Sequence, residues 1–146
     1  MRTRFYLPIL IVLAFLDCGS RASASEVRVF KSLNTSFRVV VVASGLDHPW
    51  AVGFLPSGDI LVTERSGELR LIKKGGLQDA VVEGLPEISA KNDQGGLLDI
   101  ALDPAFDQNG RLCLSYVSEA EGGRGTEIGC GIFRGDRLGD FETIFR

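Results

Sequence analysis

The sequence predicts an all-β protein built from short antiparallel strands. Apolar and often β-branched residues occur in short runs, such as 37–43 and 60–64, and turns rich in glycine, proline and aspartate follow them. After residue 25 no apolar stripe recurs at the i, i+3, i+4, i+7 spacing of a helix. The strand pattern repeats after about 50 residues with four short strands per unit, which is typical of β-propeller blades. An antiparallel sandwich is the alternative that this pattern leaves open.

The first unit contains short strands joined by tight turns. The predicted strands are 37–43, 50–55, 60–64 and 69–72. The turn Pro56-Ser57-Gly58-Asp59 separates two of them, because proline presets and glycine permits turn dihedrals. We expect residues 73–76 to end the unit.

The second unit repeats this plan. Its strands are predicted at 97–102, 111–117 and 126–133, a turn at 107–110, and a further apolar pattern at 141–146. We therefore expect the first two or so four-stranded antiparallel blades of a propeller. Each face of a blade normally packs on a neighbour, so two blades alone would expose apolar faces and open strand edges.

Residues 1–24 have the features of a cleavable signal peptide. Arg2 and Arg4 precede an apolar run at 5–16, and Ala22-Ser23-Ala24 is the small-residue pattern that a signal peptidase requires. The run is shorter than the roughly 20 residues that cross a bilayer core, so we expect no membrane insertion. The mature chain should begin at Ser25 and be periplasmic or secreted.

The charge balance excludes some partners. The chain has 16 lysines and arginines against 19 aspartates and glutamates. Removal of the leader takes away Arg2, Arg4 and Arg21 but only Asp17 among the acidic residues, so the mature chain is more acidic. Nucleic acids and anionic membranes bind basic patches, so we expect neither as a partner. With 45% hydrophobic residues and 18 glycines, the composition is that of a turn-rich globular protein.

A polar loop at 92–96 directly precedes the apolar strand 97–102. Gln94 offers amide donors and an amide acceptor there, and Gly95 and Gly96 would let the backbone approach a ligand closely. Such loops line one end of a propeller channel, which makes Gln94 a candidate ligand-binding residue. The residues alone leave open the alternative that its amide binds its own loop backbone.

Other candidate sites are weaker. His48, the single histidine, is the obvious candidate for a general base, but it lies in a loop that leads into a strand and is interpreted as structural. Asp99, Asp103 and Asp107 are evenly spaced, yet they lack the glycine and final glutamate of an EF-hand loop. We therefore predict no catalytic residue and no metal site within this chain.

Cys113 and Cys130 lie on two predicted strands that flank a glycine-rich loop at 118–125. If this hairpin centres near residues 121 and 122, the two cysteines are opposite each other, and an oxidising compartment permits a disulfide. A one-residue slip would place them on opposite faces, so two free thiols remain the alternative. Cys18 allows a lipoprotein interpretation, although Asp17 stands where a lipid-attachment motif requires a small residue.

Four motifs resemble the opening blades of the glucose/sorbosone dehydrogenase family, which are soluble quinoprotein sugar dehydrogenases. They are Gly45-Leu46-Asp47-His48-Pro49-Trp50, Val52-Gly53-Phe54-Leu55-Pro56-Ser57-Gly58-Asp59, Ile60-Leu61-Val62-Thr63-Glu64-Arg65 and Asn92-Asp93-Gln94-Gly95-Gly96-Leu97-Leu98-Asp99. The resemblance implies a six-bladed propeller. Residues 37–146 would form the N-terminal part of that domain, after a linker at 25–36.

The resemblance also implies a chemistry. The family oxidises aldose sugars with pyrroloquinoline quinone (PQQ) and calcium: a histidine takes a hydroxyl proton while hydride passes from the anomeric carbon to the quinone, which gives a lactone. By resemblance Gln94 faces cofactor and substrate. The catalytic histidine, the calcium ligands and the cations that clamp PQQ are expected beyond Arg146. The chain would then be an N-terminal fragment that is inactive alone.

Two other function classes stay open. One is a non-catalytic extracellular propeller that binds protein or carbohydrate. The other is a lactonase-like propeller, which needs a set of metal-binding carboxylates that the sequence does not show. A homodimer of the full-length parent is compatible with the resemblance. A histidine-glycine motif and an arginine-asparagine pair downstream would favour the enzyme.

Overall fold

The computed structural model describes residues 27–91, 95–120 and 122–146, so the predicted leader at 1–24 lies outside the described residues. The elements in chain order are β1 (Val27–Lys31), β2 (Ser36–Val40), β3 (Pro49–Phe54), β4 (Ile60–Glu64), β5 (Leu69–Lys73), β6 (Gly76–Val81), β7 (Leu97–Leu102), α1 (Phe106–Asn109), β8 (Arg111–Ala120), β9 (Gly123–Phe133) and β10 (Leu138–Phe145). The predicted all-β class is confirmed.

Two four-stranded antiparallel sheets form the body of the protein. Their strand orders are β3-β4-β5-β6 and β7-β8-β9-β10, so each sheet is a meander of consecutive strands. The first strands of the two sheets, β3 and β7, lie side by side, and β4 also contacts β7. This arrangement of adjacent blades confirms the propeller prediction. β1 and β2 form a separate antiparallel hairpin.

The core lies between the two blades. Leucines from both sheets fill it and are fully buried: Leu61, Leu69, Leu97, Leu112 and Leu114. Each contributes about 1.5–3 kcal/mol by leaving water. Gly53 on β3 allows the close approach, because a β-carbon there would lie 3.1 Å from Leu102 and 3.2 Å from Ile100. The two blades therefore pack through β3 and β7.

Three local elements differ from the sequence prediction. β1 occupies part of the predicted linker 25–36, and β6 follows the point where the first unit was expected to end. β6 is weakly apolar, and it forms because it completes the ladder of β5. Residues 107–110, predicted as a turn, contribute to helix α1, which ends at Gly110 with a left-handed φ of 64°. The Gly110 N–H donates to the Phe106 carbonyl at 2.7 Å.

Large apolar side chains remain exposed on the faces away from the core. On β3, Trp50 is 63% exposed and Phe54 is 74% exposed, and Phe145 on β10 is 60% exposed. In the β1–β2 hairpin Phe30 stacks on Phe37 at 5.5 Å between ring centroids. Two blades thus leave apolar surface uncovered, as the sequence pattern indicated. Among the described residues, no helix is long and apolar enough to cross a membrane.

The register of the β8–β9 hairpin agrees with the prediction. Ala120 pairs with Gly123 at its tip, and Cys113 pairs with Cys130. The two sulfur atoms lie 2.05 Å apart and the two Cα atoms 4.0 Å apart. Cys130 is buried. That this bridge forms in solution stays a prediction.

Candidate functional site

One end of the two blades brings together loops that are far apart in sequence. We call it the polar end and define it by His48, Arg65, Lys91, Glu119 and Arg124. At this end β3 and β7 begin and β4 and β8 end. The Arg65 N–H donates to the His48 carbonyl at 3.2 Å, which joins the loop before β3 to the end of β4.

Gln94, the predicted ligand-binding residue, lies with Asn92 and Asp93 outside the described residues. Lys91, on one side of this segment, belongs to the polar end, and Gly95, on the other side, lies against Arg124 of the same end. Gly95, the residue that directly follows Gln94 in the chain, has described neighbours.

Gly95 and Gly96 are buried and have no room for a side chain. A β-carbon on Gly95 would lie 2.6 Å from the Ser89 carbonyl oxygen and would overlap the Arg124 guanidinium. Gly96 has φ of +118°, and a β-carbon there would overlap the Arg65 carbonyl oxygen. The sequence pattern was interpreted as backbone approach to a ligand. The structure gives another reason for the two glycines, since atoms of the chain itself occupy the space that a side chain would need.

A single residue of β8 fixes both ends of the loop that contains Gln94. The Ser89 N–H donates to the Val117 carbonyl at 2.7 Å, and the Val117 N–H donates to the Gly96 carbonyl at 2.9 Å. Residues 89 and 96 are thereby held beside the same point of β8. We call the segment between them the 89–96 loop.

Glu119, two residues further along β8, binds the first half of this loop. Its carboxylate accepts a hydrogen bond from the Ser89 hydroxyl at 2.9 Å and lies 3.2 Å from the Lys91 ammonium. The Ser89 hydrogen bond lowers the pKa of the Glu119 carboxyl, and the Lys91 hydrogen bond and charge and the Arg124 charge lower it further. The carboxylate is thus ionised and held at neutral pH.

Sequence reasoning overlooked the cations of the polar end. Four other cations, Lys73, Lys74, Arg134 and Arg137, lie in or beside the β5–β6 and β9–β10 turns at the opposite end. Arg65, Lys91 and Arg124 lie around the 89–96 loop instead. Only their positions in the sequence could have indicated these cations: Lys91 immediately precedes the 92–94 segment, and Arg124 lies in the predicted hairpin loop.

His48 is also at the polar end, and its contacts are local. Its Nδ1 lies 2.5 Å from a carboxylate oxygen of Asp47, and its side chain is 64% exposed. The neighbouring Asp47 N–H donates to the buried Glu64 carboxylate at 2.7 Å. These bonds shape the loop that leads into β3, where His48 itself has a φ of 47°.

A cleft of about 350 Å³ opens at this end, lined by residues 87–91 and Glu119. Its polar groups are those that hold the 89–96 loop. Across residues 27–91, 95–120 and 122–146, no group of three or more His, Cys, Asp or Glu side chains is placed to hold a metal ion.

Comparisons with known proteins agree with this architecture. The sequence pattern of the glucose/sorbosone dehydrogenases matches residues 46–146. Aldose sugar dehydrogenase YliI of Escherichia coli is 43% identical over 74% of this chain. The apo crystal structure of the soluble aldose sugar dehydrogenase from Escherichia coli is 38% identical over 84% of the chain, with a TM-score of 0.68. The PQQ-bound aldose sugar dehydrogenase from Streptomyces coelicolor is 26% identical over 84%, with a TM-score of 0.63.

The chain spans only part of each of these proteins. It covers 30% of the curated Escherichia coli protein, 33% of the Escherichia coli structure and 34% of the Streptomyces coelicolor structure. The matched segment includes both blades and the whole polar end. The chain therefore belongs to the glucose/sorbosone dehydrogenase family.

Proposed function

We propose that this chain provides the N-terminal blades of an exported, PQQ-dependent aldose dehydrogenase that oxidises sugars at the anomeric carbon to lactones. The observation that carries the proposal is the match of the family pattern to residues 46–146, which includes the glycines of the polar end. The PQQ-bound relative, at 26% identity, supports the choice of cofactor. Remaining blades supply the catalytic histidine in this proposal, so the chain alone is inactive.

Gln94 is the residue of this chain that we assign to cofactor and substrate. Its amide can donate to a quinone carbonyl and accept from a sugar hydroxyl. Support comes from its neighbours: Gly95 and Gly96 are fixed by Arg65, Arg124 and Val117 at the polar end.

The chemistry of the polar end suits part of a bound PQQ. The cofactor carries three carboxylates, and Lys91 and Arg124 are cations beside the loop that contains Gln94. Glu119 balances one of these charges, so further cations are needed from the other blades. A calcium site is not formed by the described residues, which offer no set of metal ligands.

PQQ, when bound, supplies the two-electron acceptor of the reaction. The contribution of this chain is to orient the sugar and cofactor through Gln94, which lies in sequence between Lys91, paired with Glu119, and Gly95, which lies against Arg124. Such positioning lowers the barrier because the groups are already in place when the substrate binds. A histidine of a later blade holds the hydroxyl proton in this proposal.

A hybrid enzyme tests the function. Residues 46–146 of this chain replace the aligned segment of the Escherichia coli aldose sugar dehydrogenase, and dye-linked turnover of aldoses is measured with and without PQQ. We expect PQQ-dependent turnover in the hybrid and none in the isolated chain. A folded hybrid without turnover would favour a non-catalytic binding propeller.

Export and assembly are parts of the same proposal. N-terminal sequencing of the expressed protein should find Ser25 first in a periplasmic or secreted product, and an intact Met1 in the cytoplasm would contradict this. A homodimer of the complete protein is tested by light scattering.

A further inference from the structure

Asp47 and His48 form a pair that carries an exposed imidazole ring at the polar end. The Nδ1 of His48 lies 2.5 Å from an Asp47 carboxylate oxygen, and the His48 side chain is 64% exposed. An ionised carboxylate can only accept a hydrogen bond, so the shared hydrogen belongs to Nδ1. Nε2 of the neutral ring then keeps a lone pair. The pair therefore presents a hydrogen-bond acceptor whose direction Asp47 sets.

The backbone beneath this ring is held from two sides. The buried Glu64 carboxylate accepts the Asp47 N–H at 2.7 Å, and the Arg65 N–H donates to the His48 carbonyl at 3.2 Å. His48 itself has a φ of 47°, a left-handed conformation that is unfavourable for a residue with a β-carbon. Such conformations persist where the surrounding structure imposes them, and they are concentrated at ligand sites.

His48 also lies where the two blades meet. It directly precedes β3, and β3 and β7 are the first strands of the two sheets and contact each other. Arg65, which bonds to the His48 carbonyl, has its own carbonyl against Gly96 at the start of β7. Propeller blades surround a central channel, and the contact between the two first strands marks them as the inner strands. The His48 ring is therefore beside the channel at the polar end.

We infer that His48 binds a hydroxyl group of the sugar substrate through Nε2, and that Asp47 is the positioning residue that holds its ring. This inference rests on the proposed function, because it takes the substrate to be an aldose. The sequence pattern was interpreted as a structural role for His48. In the structure the backbone of His48 has that role, which leaves the ring for a ligand. The histidine of a later blade still holds the reacting proton in this account.

Nuclear magnetic resonance of the 146-residue chain, labelled with ¹⁵N in its single histidine, tests the orientation of the ring. At a pH at which the ring is neutral, the wild type should carry its hydrogen mainly on Nδ1. Asp47→Ala removes the carboxylate and keeps the N–H that bonds to Glu64, so the preference for Nδ1 should be lost. Asp79→Ala, at an exposed position of β6, is the control and should leave the spectrum unchanged. A wild type with its hydrogen mainly on Nε2 would overturn the inference.

Two substitutions of His48 in the hybrid enzyme separate sugar binding from a structural role. His48→Gln keeps an acceptor near the position of Nε2, whereas His48→Asn suits a left-handed backbone but is too short to place an acceptor there. His48→Asn should raise KM for the aldose roughly tenfold, as for loss of one hydrogen bond, and His48→Gln should raise it less. A structural role predicts the opposite order, because asparagine tolerates the conformation better. That opposite order, or an unchanged KM in both variants, would overturn the inference.

The labelled histidine also reports sugar binding without turnover. Saturating aldose should shift the His48 ring resonances of the folded hybrid, which are assigned by their loss in His48→Gln. A hybrid that shows this shift but no PQQ-dependent turnover would support the inference and contradict the proposed function. Ring resonances that saturating aldose leaves unchanged would overturn the inference, and PQQ-dependent turnover of that same hybrid would leave the proposed function standing.

Discussion

The Thr63 hydroxyl on β4 donates a 2.6 Å hydrogen bond to the Leu98 carbonyl on β7, which joins the two blades. The same oxygen accepts the Ala51 N–H at 3.0 Å, where β3 and β4 depart from regular pairing. Thr63 is completely buried. One buried hydroxyl therefore satisfies two backbone groups, one on each blade.

Thr63→Val should lower the free energy of unfolding by about 2 kcal/mol. The substitution keeps the shape and leaves the Ala51 N–H and the Leu98 carbonyl without a partner, which costs roughly 1–3 kcal/mol for a buried group. Urea unfolding followed by circular dichroism measures the change. Thr126→Val, at an exposed position of β9, is the control and should have little effect. Equal midpoints for the two variants would contradict the role of Thr63.

Gly96→Ala should be more destabilising than Gly58→Ala. Both glycines have positive φ, +118° and +87°, but only Gly96 has a backbone oxygen in the place of a β-carbon. The strained backbone costs about 1–2 kcal/mol in each variant, and the overlap with Arg65 adds to it at Gly96. Thermal unfolding compares them. A similar loss in both variants would show that the contact between Gly96 and Arg65 can relax.

A disulfide between Cys113 and Cys130 should stabilise the β8–β9 hairpin. The bridge closes a loop with a sequence separation of 17 residues, for which the chain-entropy model gives about 3 kcal/mol. Dithiothreitol should lower the unfolding midpoint of the wild type, and a Cys113→Ala/Cys130→Ala variant should not respond. Thiol titration of the unreduced, denatured mature protein that finds both cysteines free would exclude the bridge.

The stability contribution of Glu119 should depend on pH. The Ser89 hydrogen bond, followed by Lys91 and Arg124, lowers its pKa from the ordinary value of 4.5 in the folded state. A lowered pKa stabilises the protein above the unfolded value, and this gain is lost as pH falls through the folded pKa. The difference in unfolding midpoint between wild type and Glu119→Gln should therefore be full at pH 7 and shrink below pH 4.5. A constant gap for Glu119→Gln down to pH 2 would contradict the shift.

The sequence predicted those strands whose own residues show a strand pattern. β4 and β7 were found because each is an apolar run next to a turn. β6 was missed because Gln78 and Asp79 interrupt its pattern, and its pairing with β5 rather than its composition makes it a strand. A strand that depends on its neighbour is invisible to local periodicity.

The polar end was harder to predict than the strands. Gln94 was selected from a motif, but Lys91 and Glu119 are 28 residues apart in sequence and meet only through the fold. The register of Cys113 with Cys130 was predictable, because a hairpin fixes its pairs by turn length. No comparable rule predicts from the sequence which loops of different blades come into contact.

Dye-linked turnover of the hybrid enzyme with an aldose and PQQ tests the central claim most directly, when it is compared with the Gln94→Ala hybrid. The account predicts PQQ-dependent turnover that falls by roughly 10²-fold in Gln94→Ala, as expected for a group that positions the reactants. Gln108→Ala, at an exposed position of α1 at the opposite end, should retain full activity. Turnover that Gln94→Ala leaves unchanged, or a folded hybrid with no PQQ-dependent turnover, would contradict the account.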